Sequence, residues 1–490
     1  MERYLAFDLG AESGRAILGS LDDNDNLSIS EIHRFPNKMV SIYGHYHWDY
    51  LKLINEIYEG LKICKTKNCI PVCAGVDTWG VDYALLKKGS IIGFPYAYRD
   101  HRTMGAVESF SMQMPLDRLY NLTGIQVLPF NTVFQLYAAR KNGQELGSGF
   151  ELLMIADLIN YELAGVKKSE FTIATTTQIF NPNKRWWESE ILEILGASES
   201  LMQEITQPGT IIGELTPVVK ARTGLEDMGV AAVASHDTGS AVAAIPGVGE
   251  DFAYISSGTW SLMGIESRVP LINEKTLRYN LTNEGGISGT YRILKNIAGL
   301  WLLQECRKTW MRDHQFSYEE LTRLAETSEP LRSLINPDWV GFLNPISMPN
   351  AISDYCRKTG QSAPRTIGEY VRTIIESLAF AYKYTLSQLE DVTGKNIDKI
   401  HVVGGGSRNE LLCQLTAEVT NRSVYAGPFE ATAVGNILVQ AMAKGRVKDI
   451  FDLRRIVRKS FDIKLYEPNG NINWNDAYNK FLSIREMKVK

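Results

Sequence analysis

The sequence has few cysteines, no long apolar run and no strong excess of charge of either sign. Its 490 residues include six cysteines with no Cys-x-x-Cys pair, so a disulfide framework is not expected and the thiols should be reduced. The formal net charge is −4 and no long basic segment occurs, which argues against nucleic acid or an anionic membrane as the main partner. No apolar stretch reaches membrane length, and the first residues lack the basic and apolar regions of a secretory signal. We therefore expect a cytoplasmic protein.

Two catalytic patterns are also missing. The sequence contains no GxxxxGK[ST] segment, which excludes a P-loop of the Walker A type, and no Ser-His-Asp or Cys-His arrangement stands out. His45 and His47 alternate as metal ligands on a strand would, but no third ligand follows nearby. A surface strand or loop is therefore the preferred interpretation of that segment.

The composition, with 44% apolar and 22% charged residues, is that of a globular protein with sizeable cores. Secondary-structure patterns recur in one order: a meander of short strands, a helix, a strand and a further helix. The first series comprises strands at 3–9, 15–21, 27–33, 72–76, 81–86 and 230–234, with helices at 50–63, 104–121, 132–140 and 156–164. The second comprises strands at 252–256, 260–266, 277–282, 290–295 and 399–403, with helices at 298–310, 317–326, 366–391 and near 409.

This repetition predicts an α/β protein with an internal duplication. The predicted domains are residues 1–245 and 246–490, and ligands favour the cleft between two such halves. Each half has a turn rich in small residues after its first strand, AESG in one and SSGT in the other.

The segment from Asp8 to Arg15, DLGAESGR, is a small-residue hairpin with a carboxylate at its entrance. Its glycines would let backbone amides approach a polyphosphate, and Asp8 would hold Mg²⁺ through water. The alternative is an ordinary turn, in which Asp and Gly are simply favourable residues. A second glycine turn, VVGGGSRN at 402–409, has Asn409 where a dinucleotide-binding loop has its third glycine. It is either structural or a flat support for a purine or ribose.

Asp237 follows a buried strand and precedes a helix, where an oxyanion is readily held by unpaired backbone N–H groups. It is either a helix cap or the base that phosphoryl transfer to an alcohol needs. A strand ending in the small-residue turn at 256–260 follows closely and would suit a phosphate. Asp77 and Asp82 flank Trp79 in a further candidate loop, where an aromatic ring would pack either on a sugar or in the core.

Taken together, these segments resemble the FGGY carbohydrate kinases of the actin-like ATPase superfamily, from Tyr4 to about Gly445. The motifs that carry the resemblance are DLGAESGR (8–15), GVDTWGVDYALL (75–86), SHDT (235–238), SSGTWSLMG (256–264), TNEGG (282–286) and VVGGGSRN (402–409). The combination of TWGVD, SHDT and NEGG is similar to the branch that acts on L-rhamnulose.

The resemblance implies two RNase H-like domains with the active site in the cleft between them. It implies that the N-terminal domain binds the sugar and the C-terminal domain the nucleotide. It further implies transfer of the γ-phosphoryl group of Mg·ATP to the C1 hydroxyl of L-rhamnulose, with Asp237 as the base and Asp8 associated with Mg²⁺. The positions that match sugar contacts are Gly80, His236, Asp237, Thr238 and Asn296. The positions that match ATP contacts are Ala11, Glu12, Ser13, Gly14, Arg15, Thr259, Gln304 and Gly405.

One residue departs from the family pattern: Glu12 stands where the branch usually carries a small residue. A carboxylate facing the phosphates would repel them, so its side chain should turn outward. Three alternatives to the expected function stay open at this point: kinase activity on another ketose such as L-fuculose or L-xylulose, a catalytically silent sugar or nucleotide sensor, and an actin-like assembly ATPase. The sequence does not indicate whether the protein has protein partners.

Overall fold

The computed structural model describes residues 1–249, 251–311, 315–470, 473–487 and 489. These residues divide into two compact units that do not coincide with two halves of the sequence. The first unit comprises residues 1–244, 266–293 and 431–460, and the second comprises 245–265, 294–430 and 461–490. The division of the sequence into duplicated domains at 1–245 and 246–490 stays a prediction.

The first unit contains a six-stranded sheet. In spatial order its strands are Thr210–Glu214, Gly229–Ala232, Cys73–Thr78, Glu2–Leu9, Ser13–Leu21 and Leu27–Pro36. The last three form the predicted antiparallel meander, and Glu2–Leu9 also pairs in parallel with Cys73–Thr78. The parallel register sets Asp8 beside Asp77, and the antiparallel register sets Asp8 opposite Arg15. Strand pairing thus brings residues that are distant in sequence to one edge of the sheet.

Helices cover this sheet because their apolar residues recur at helical spacing. In the helix Tyr50–Thr66, Leu53, Ile57 and Leu61 are buried in one cluster with residues of the strand Glu2–Leu9. Asp49 caps this helix as predicted, because its carboxylate accepts a hydrogen bond from the Lys52 N–H at 3.1 Å.

The remaining elements of the first unit are shorter. Its other helices are Ala106–Ser111, Leu116–Thr123, Thr132–Lys141, Ile155–Ala164, Phe171–Thr175, Ser189–Leu195, Pro217–Thr223, Asp237–Ala243, Glu274–Tyr279, Ala431–Ala443 and Ile450–Ser460. Its other strands are Met39–Ile42, His45–Trp48, Tyr83–Lys87, Ser90–Ile92, Phe150–Met154, Ser169–Glu170, Phe180–Asn181, Trp186–Trp187, Ile205–Thr206 and Thr282–Gly285. Short 3₁₀ turns lie at His101–Thr103 and Glu199–Leu201.

The second unit is built around a sheet of the same mixed kind. The strand Ala253–Ser257 pairs antiparallel with Trp260–Ser267 and parallel with Lys399–Val403, which in turn pairs parallel with Ser423–Ala426. The strand Lys464–Tyr466 closes this series in antiparallel pairing. Its helices are Trp301–Trp310, Tyr318–Glu326, Met348–Lys358, Ile367–Thr393, Glu410–Thr420 and Asn475–Glu486, with 3₁₀ turns at Val340–Phe342 and Gly405–Arg408. The strands Trp260–Ser267 and Tyr291–Ala298 contribute residues to both units.

Two secondary-structure predictions were wrong. The segment 277–282, expected as a strand, contains the end of the helix Glu274–Tyr279, because Asn273 forms a capping box with Thr276. The single helix expected at 104–121 is two helices, since Pro115 begins the second one and has no N–H to continue the first.

The six cysteines are free, in agreement with the expectation of reduced thiols. Among the described residues, no helix is long and apolar enough to cross a membrane.

Candidate functional site

The hairpin between the first two strands carries an ion pair at its base. The Arg15 guanidinium donates a short hydrogen bond to the Asp8 carboxylate, and both side chains are largely buried. Asn37 closes the turn because its side-chain amide donates to the Gly10 carbonyl at 2.8 Å. Its own N–H donates to the Glu12 carbonyl at 3.0 Å. The turn is therefore held both by its own hydrogen bond, from the Gly10 N–H to the Ser13 carbonyl at 2.9 Å, and by the residue that follows the neighbouring strand.

Gly14 has a packing role that the sequence did not reveal. A Cβ atom at this position would lie 2.3 Å from the Phe35 ring, so the absence of a side chain makes room for the core. Glu12 is exposed, and the direction of its side chain relative to a phosphate stays a prediction.

Asp77 lies beside Asp8 at the end of the neighbouring parallel strand and is completely buried. Burial raises its pKa well above the ordinary value, and the negative charge of Asp8 adds to this rise. Asn436 donates to its Oδ2 at 2.5 Å, whereas its Oδ1 has no hydrogen-bond partner among the described residues. The charge of Asp8 also raises the pKa of Asp237, so we call Asp8, Asp77 and Asp237 the carboxylate cluster.

Asp237 is the first residue of the helix Asp237–Ala243, and His236 is the N-cap residue. The Asp237 carboxylate accepts from the N–H of Thr238 at 2.6 Å and from its hydroxyl at 3.2 Å. Its side chain keeps 35% exposure, so it can meet a ligand. Desolvation raises the pKa of Asp237, the proximity of His236 opposes this rise, and the charge of Asp8 adds to it.

A buried carboxylate that sequence reasoning missed holds the strand-to-helix turn before Asp237. Glu170 accepts from the Ser235 N–H at 3.1 Å and from the Thr172 hydroxyl at 2.6 Å. The Thr172 oxygen in turn accepts from the His236 N–H at 3.1 Å. Burial raises the pKa of Glu170 to about 7 even though these donors oppose the rise. The backbone of this turn is thereby fixed from an adjacent helix.

The His236 side chain is held by two further residues without an assigned role. Its Nδ1 lies 3.0 Å from Glu284 Oε2, and Arg292 Nη2 lies 3.0 Å from the same oxygen. Arg292 is fully buried and also donates from Nε to the Gly285 carbonyl at 2.8 Å. Glu284 belongs to the NEGG segment, so this motif supplies a buried charge as well as its glycines.

Asp82 organises the aromatic loop. Its buried carboxylate accepts from the indole N–H of Trp48 at 2.7 Å and of Trp79 at 2.9 Å, and from the amide of Gln135 at 2.9 Å. Burial raises its pKa to about 6, although these hydrogen bonds oppose the rise. Trp79 is therefore a core residue whose ring packs on Trp48, with the centroids 4.1 Å apart.

Gly80 faces Thr176 of the ATTTQ segment. A Cβ atom on Gly80 would lie 3.1 Å from the Thr176 side chain, so this loop tolerates no larger residue without a shift. The Thr176 hydroxyl also accepts from the Val81 N–H at 3.2 Å.

In the second unit, the turn at Ser257–Trp260 is held by the start of the helix Trp301–Trp310. The Leu300 N–H donates to the Gly258 carbonyl at 3.0 Å, and the Trp301 N–H donates to the Thr259 carbonyl at 3.1 Å. The Thr259 hydroxyl donates to the side chain of Gln304 at 3.2 Å. Thr259 and Gln304, both predicted to contact ATP, are thus direct neighbours.

The three glycines at 404–406 differ in what surrounds them. A Cβ on Gly404, whose φ is +81°, would lie 2.9 Å from the Ser257 carbonyl, and one on Gly406 would lie 2.0 Å from the Ser257 hydroxyl. Gly405 has no atom within 4 Å of that position. Gly404 and Gly406 therefore allow close packing, whereas Gly405 leaves an open backbone surface.

The predicted site residues consequently fall into two groups. The first unit holds Asp8, Ala11, Glu12, Ser13, Gly14, Arg15, Gly80, His236, Asp237 and Thr238, and the second holds Thr259, Asn296, Gln304 and Gly405. Within each group, hydrogen bonding and sheet register connect residues that are far apart in sequence. Asn296 lies on the strand Tyr291–Ala298.

His45 has two neighbours that the sequence did not suggest, Asp100 and His101. The Nδ1 of His45 lies 3.0 Å from Asp100 Oδ1, and the rings of His45 and His101 stack with their centroids 5.0 Å apart. These three side chains form the one His, Cys, Asp and Glu group of metal-binding dimensions within the described part of the chain. The Asp100 carboxylate already accepts from the N–H groups of Tyr46 and Arg102, so its hydrogen bonds fasten the segment at 101–103 to the neighbouring hairpin.

The sequence comparisons decide the family. Residues 3–244 match the model of the N-terminal domain of the FGGY family of carbohydrate kinases, and residues 253–444 match that of its C-terminal domain. The chain belongs to the FGGY family of carbohydrate kinases.

Curated relatives within this family extend over nearly the whole chain. A rhamnulokinase of Bacteroides thetaiotaomicron is 45% identical over 98% of this chain and 99% of its own length. A rhamnulokinase of Enterococcus faecalis is 44% identical over 95% of this chain and 94% of its own length.

Solved structures agree on the fold. A xylulose kinase from Lactobacillus acidophilus has a TM-score of 0.79 at 17% identity, covering 99% of this chain and 96% of that chain. Plasmodium falciparum glycerol kinase with ADP has a TM-score of 0.78 at 14% identity, covering 100% of this chain and 99% of that chain. This FGGY kinase thus has the actin-like ATPase fold that the sequence predicted.

Proposed function

We propose that this FGGY kinase transfers the γ-phosphoryl group of ATP to the C1 hydroxyl of L-rhamnulose. The observation that carries the proposal is the partly exposed carboxylate of Asp237 at the start of a helix, with His236 and Thr238 beside it. Phosphoryl transfer to an alcohol requires one carboxylate within reach of the attacking hydroxyl and N–H groups that stabilise the transferred group. The 45% identity to a rhamnulokinase over nearly the full chain supports the choice of sugar.

In this proposal, Asp237 accepts the proton of the sugar hydroxyl as its oxygen attacks phosphorus in line. A base needs to be unprotonated at the working pH. Burial raises the pKa of Asp237 and the charge of Asp8 adds to this rise, whereas the proximity of His236 opposes it. Gly80, His236, Thr238 and Asn296 contact the sugar.

The nucleotide is assigned to the small-residue turns. The hairpin residues Ala11 to Arg15 and the hydroxyl of Thr259 approach the phosphates, Gln304 orients Thr259, and the open backbone at Gly405 supports the purine or ribose. Exposed N–H groups and hydroxyls bind phosphate oxygens without the repulsion that a carboxylate would bring.

Mg²⁺ is proposed to associate with Asp8, through water. The donor set fits a hard cation, since Asp8 and Asp77 are neighbouring carboxylates and the Oδ1 of Asp77 lacks a hydrogen-bond partner in the described structure. Arg15 already engages Asp8, which favours a water-mediated rather than a direct contact. When bound with ATP, Mg²⁺ would offset negative charge on the phosphate oxygens.

A coupled ADP-release assay across a panel of ketoses tests the proposal. We expect L-rhamnulose to give the highest kcat/KM among L-rhamnulose, L-fuculose and L-xylulose, with no comparable ADP release without sugar. A higher kcat/KM for another ketose would contradict the assigned substrate but keep the kinase reaction. No sugar-dependent ADP release with any ketose would favour a silent sensor.

A further inference from the structure

Glu284, Arg292 and His236 form a buried group next to the proposed base. The exposed fractions of their side chains are 7%, 0% and 11%. Two of them come from consecutive strands and the third from the start of the helix that carries Asp237. Charges that are buried to this extent are normally retained only where each one has a partner.

Two contacts of Nδ1 bear on which nitrogen of His236 carries a proton. Arg292 has only donors, and its Nη2 lies 3.0 Å from Glu284 Oε2 and 3.2 Å from His236 Nδ1. Burial alone would raise the pKa of Glu284, but the neighbouring His236 and Arg292 hold it below the ordinary value. The Glu284 carboxylate at 3.0 Å would accept from a protonated Nδ1, whereas Arg292 Nη2 at 3.2 Å would donate to an unprotonated one. The carboxylate is the nearer group and Arg292 already has it as an acceptor, so the contacts favour a proton on Nδ1.

A protonated Nδ1 that donates to Glu284 fixes the plane of the imidazole ring. The second nitrogen, Nε2, then lies 3.5 Å from Asp237 Oδ1, which is longer than an ordinary hydrogen bond and does not require a proton between the two atoms. The main chain of His236 is fixed independently, because its N–H donates to Thr172 at 3.1 Å. With backbone and ring both held, the distance between Nε2 and the proposed base is determined by Thr172, Glu284 and Arg292, to which the proposed function assigns no contact with the sugar.

We propose that Glu284, anchored by Arg292, is a positioning residue that holds His236 in the Nδ1-protonated form with Nε2 directed at Asp237. The effect on catalysis rests on the proposed function, whereas the arrangement of Glu284, Arg292 and His236 does not. A carboxylate that orients a histidine acts on the reaction through geometry, so its loss should lower kcat more than it raises the KM for sugar.

The protonation state of His236 is tested by NMR of the full chain labelled with ¹⁵N-histidine. The chain has seven histidines, and the His236→Asn variant assigns the resonances of His236. We expect a protonated Nδ1 in the wild type and a shift toward the Nε2-protonated form in Glu284→Gln. An unprotonated Nδ1 in the wild type would overturn the proposal, because Arg292 would then be the donor. This measurement requires no substrate, so it stands even if the sugar has been assigned wrongly.

The kinetic test uses the ketose that gives the highest activity with the wild type. Glu284→Gln should lower kcat by about tenfold to a hundredfold, the usual coupling within one hydrogen-bond network, with a smaller change in KM for sugar. In a His236→Asn background the same substitution should have little further effect. Equal losses of kcat in both backgrounds would contradict action through His236.

Glu376→Gln provides a matched control. Glu376 is also a buried carboxylate in an ion pair, 2.8 Å from Arg372, but it belongs to the second unit and has no role in the proposed site. We expect this variant to lose stability and to keep the wild-type kcat and the wild-type ¹⁵N signals of His236. If Glu376→Gln lowered kcat as much as Glu284→Gln, loss of stability alone would explain both results and the proposal would fail.

Discussion

In the first unit the candidate site consists mainly of buried charges beside the hairpin at 11–15, whereas in the second unit it consists of backbone and hydroxyl groups. The first contains the carboxylate cluster together with Arg15, His236, Glu284 and Arg292. The second contains the turn at Ser257–Trp260 and the glycines at 404–406, where Thr259 and Gln304 form a neutral hydrogen bond.

This difference follows from what each region has to do in the proposed reaction. A base works only if its protonation state is controlled, and burial beside other charges provides that control. A nucleotide carries its own negative charge, so its binding region needs close approach of neutral donors instead. Substitutions that change charge should therefore act mainly in the first region, and those that change bulk mainly in the second.

The largest effect is expected from removing the charge of the proposed base. Asp237→Asn keeps the size of the side chain but cannot accept a proton, so kcat should fall by about 10²–10⁴-fold, the usual contribution of such a base. Steady-state ADP release measures kcat, and equilibrium nucleotide binding serves as the control, since ATP affinity should change little. Turnover near the wild-type rate would remove Asp237 from the role of base.

The second prediction concerns the pH dependence of stability in the first region. Because burial raises the pKa of Asp82 from 3.8 to about 6, its contribution to stability is complete below pH about 4 and is lost as pH rises through about 6. This loss amounts to about 3 kcal/mol at most, from roughly 1.4 kcal/mol per pKa unit.

The variant Asp82→Asn has no such ionisation. The difference in unfolding free energy between wild type and variant should therefore change in favour of the variant between pH 4 and pH 7, as measured by denaturant titration. A difference that does not vary with pH would mean that Asp82 titrates alike in the folded and unfolded chain.

The third prediction compares two adjacent glycines of the second region. Alanine at position 406 would place its Cβ 2.0 Å from the Ser257 hydroxyl, so Gly406→Ala should destabilise the protein by about 1–3 kcal/mol. Alanine at 405 meets open space, so Gly405→Ala should leave the melting temperature unchanged and raise the KM for ATP. Equal destabilisation by both substitutions would contradict the packing difference, and an unchanged KM in Gly405→Ala would remove Gly405 from the nucleotide site.

The smallest effect is expected from the neutral hydrogen bond of the second region. Thr259→Val removes the hydroxyl that donates to Gln304 while keeping the shape, which should cost about 1 kcal/mol, or roughly a fivefold rise in the KM for ATP. Thr259→Ser retains the hydroxyl and is the control. A rise of similar size in the serine variant would point to the methyl group instead.

Much of the fold could be predicted from the sequence because the signals are local. The meander, the helix after Asp49 and the strand before Asp237 all appear where alternation, capping and apolar runs indicated them. The segment 277–282 was misassigned because its capping box depends on the reciprocal hydrogen bonds of Asn273 and Thr276, which outweigh a short apolar pattern.

The candidate site was predictable only in part. Asp8, Asp77 and Asp237 each follow an apolar run. The positions of Asp8 and Asp77 near strand ends, and of Asp237 after a strand-to-helix turn, could therefore be predicted from the sequence. Glu170 and Arg292 gave no comparable signal, since each is a single charged residue in a mixed segment. Their roles arise from burial and from partners that are distant in sequence: Ser235 lies 65 residues from Glu170, and His236 lies 56 residues from Arg292.

The sequence by itself determined the α/β class, the family and the identity of the carboxylate proposed as base, because local patterning and motif order carry that information. Only the tertiary structure decided which glycines are needed for packing, which nitrogen of His236 faces Glu284, and that Trp79 belongs to the core. Those properties depend on distances between atoms from separate elements, and such distances exist only once strand register and helix packing are set.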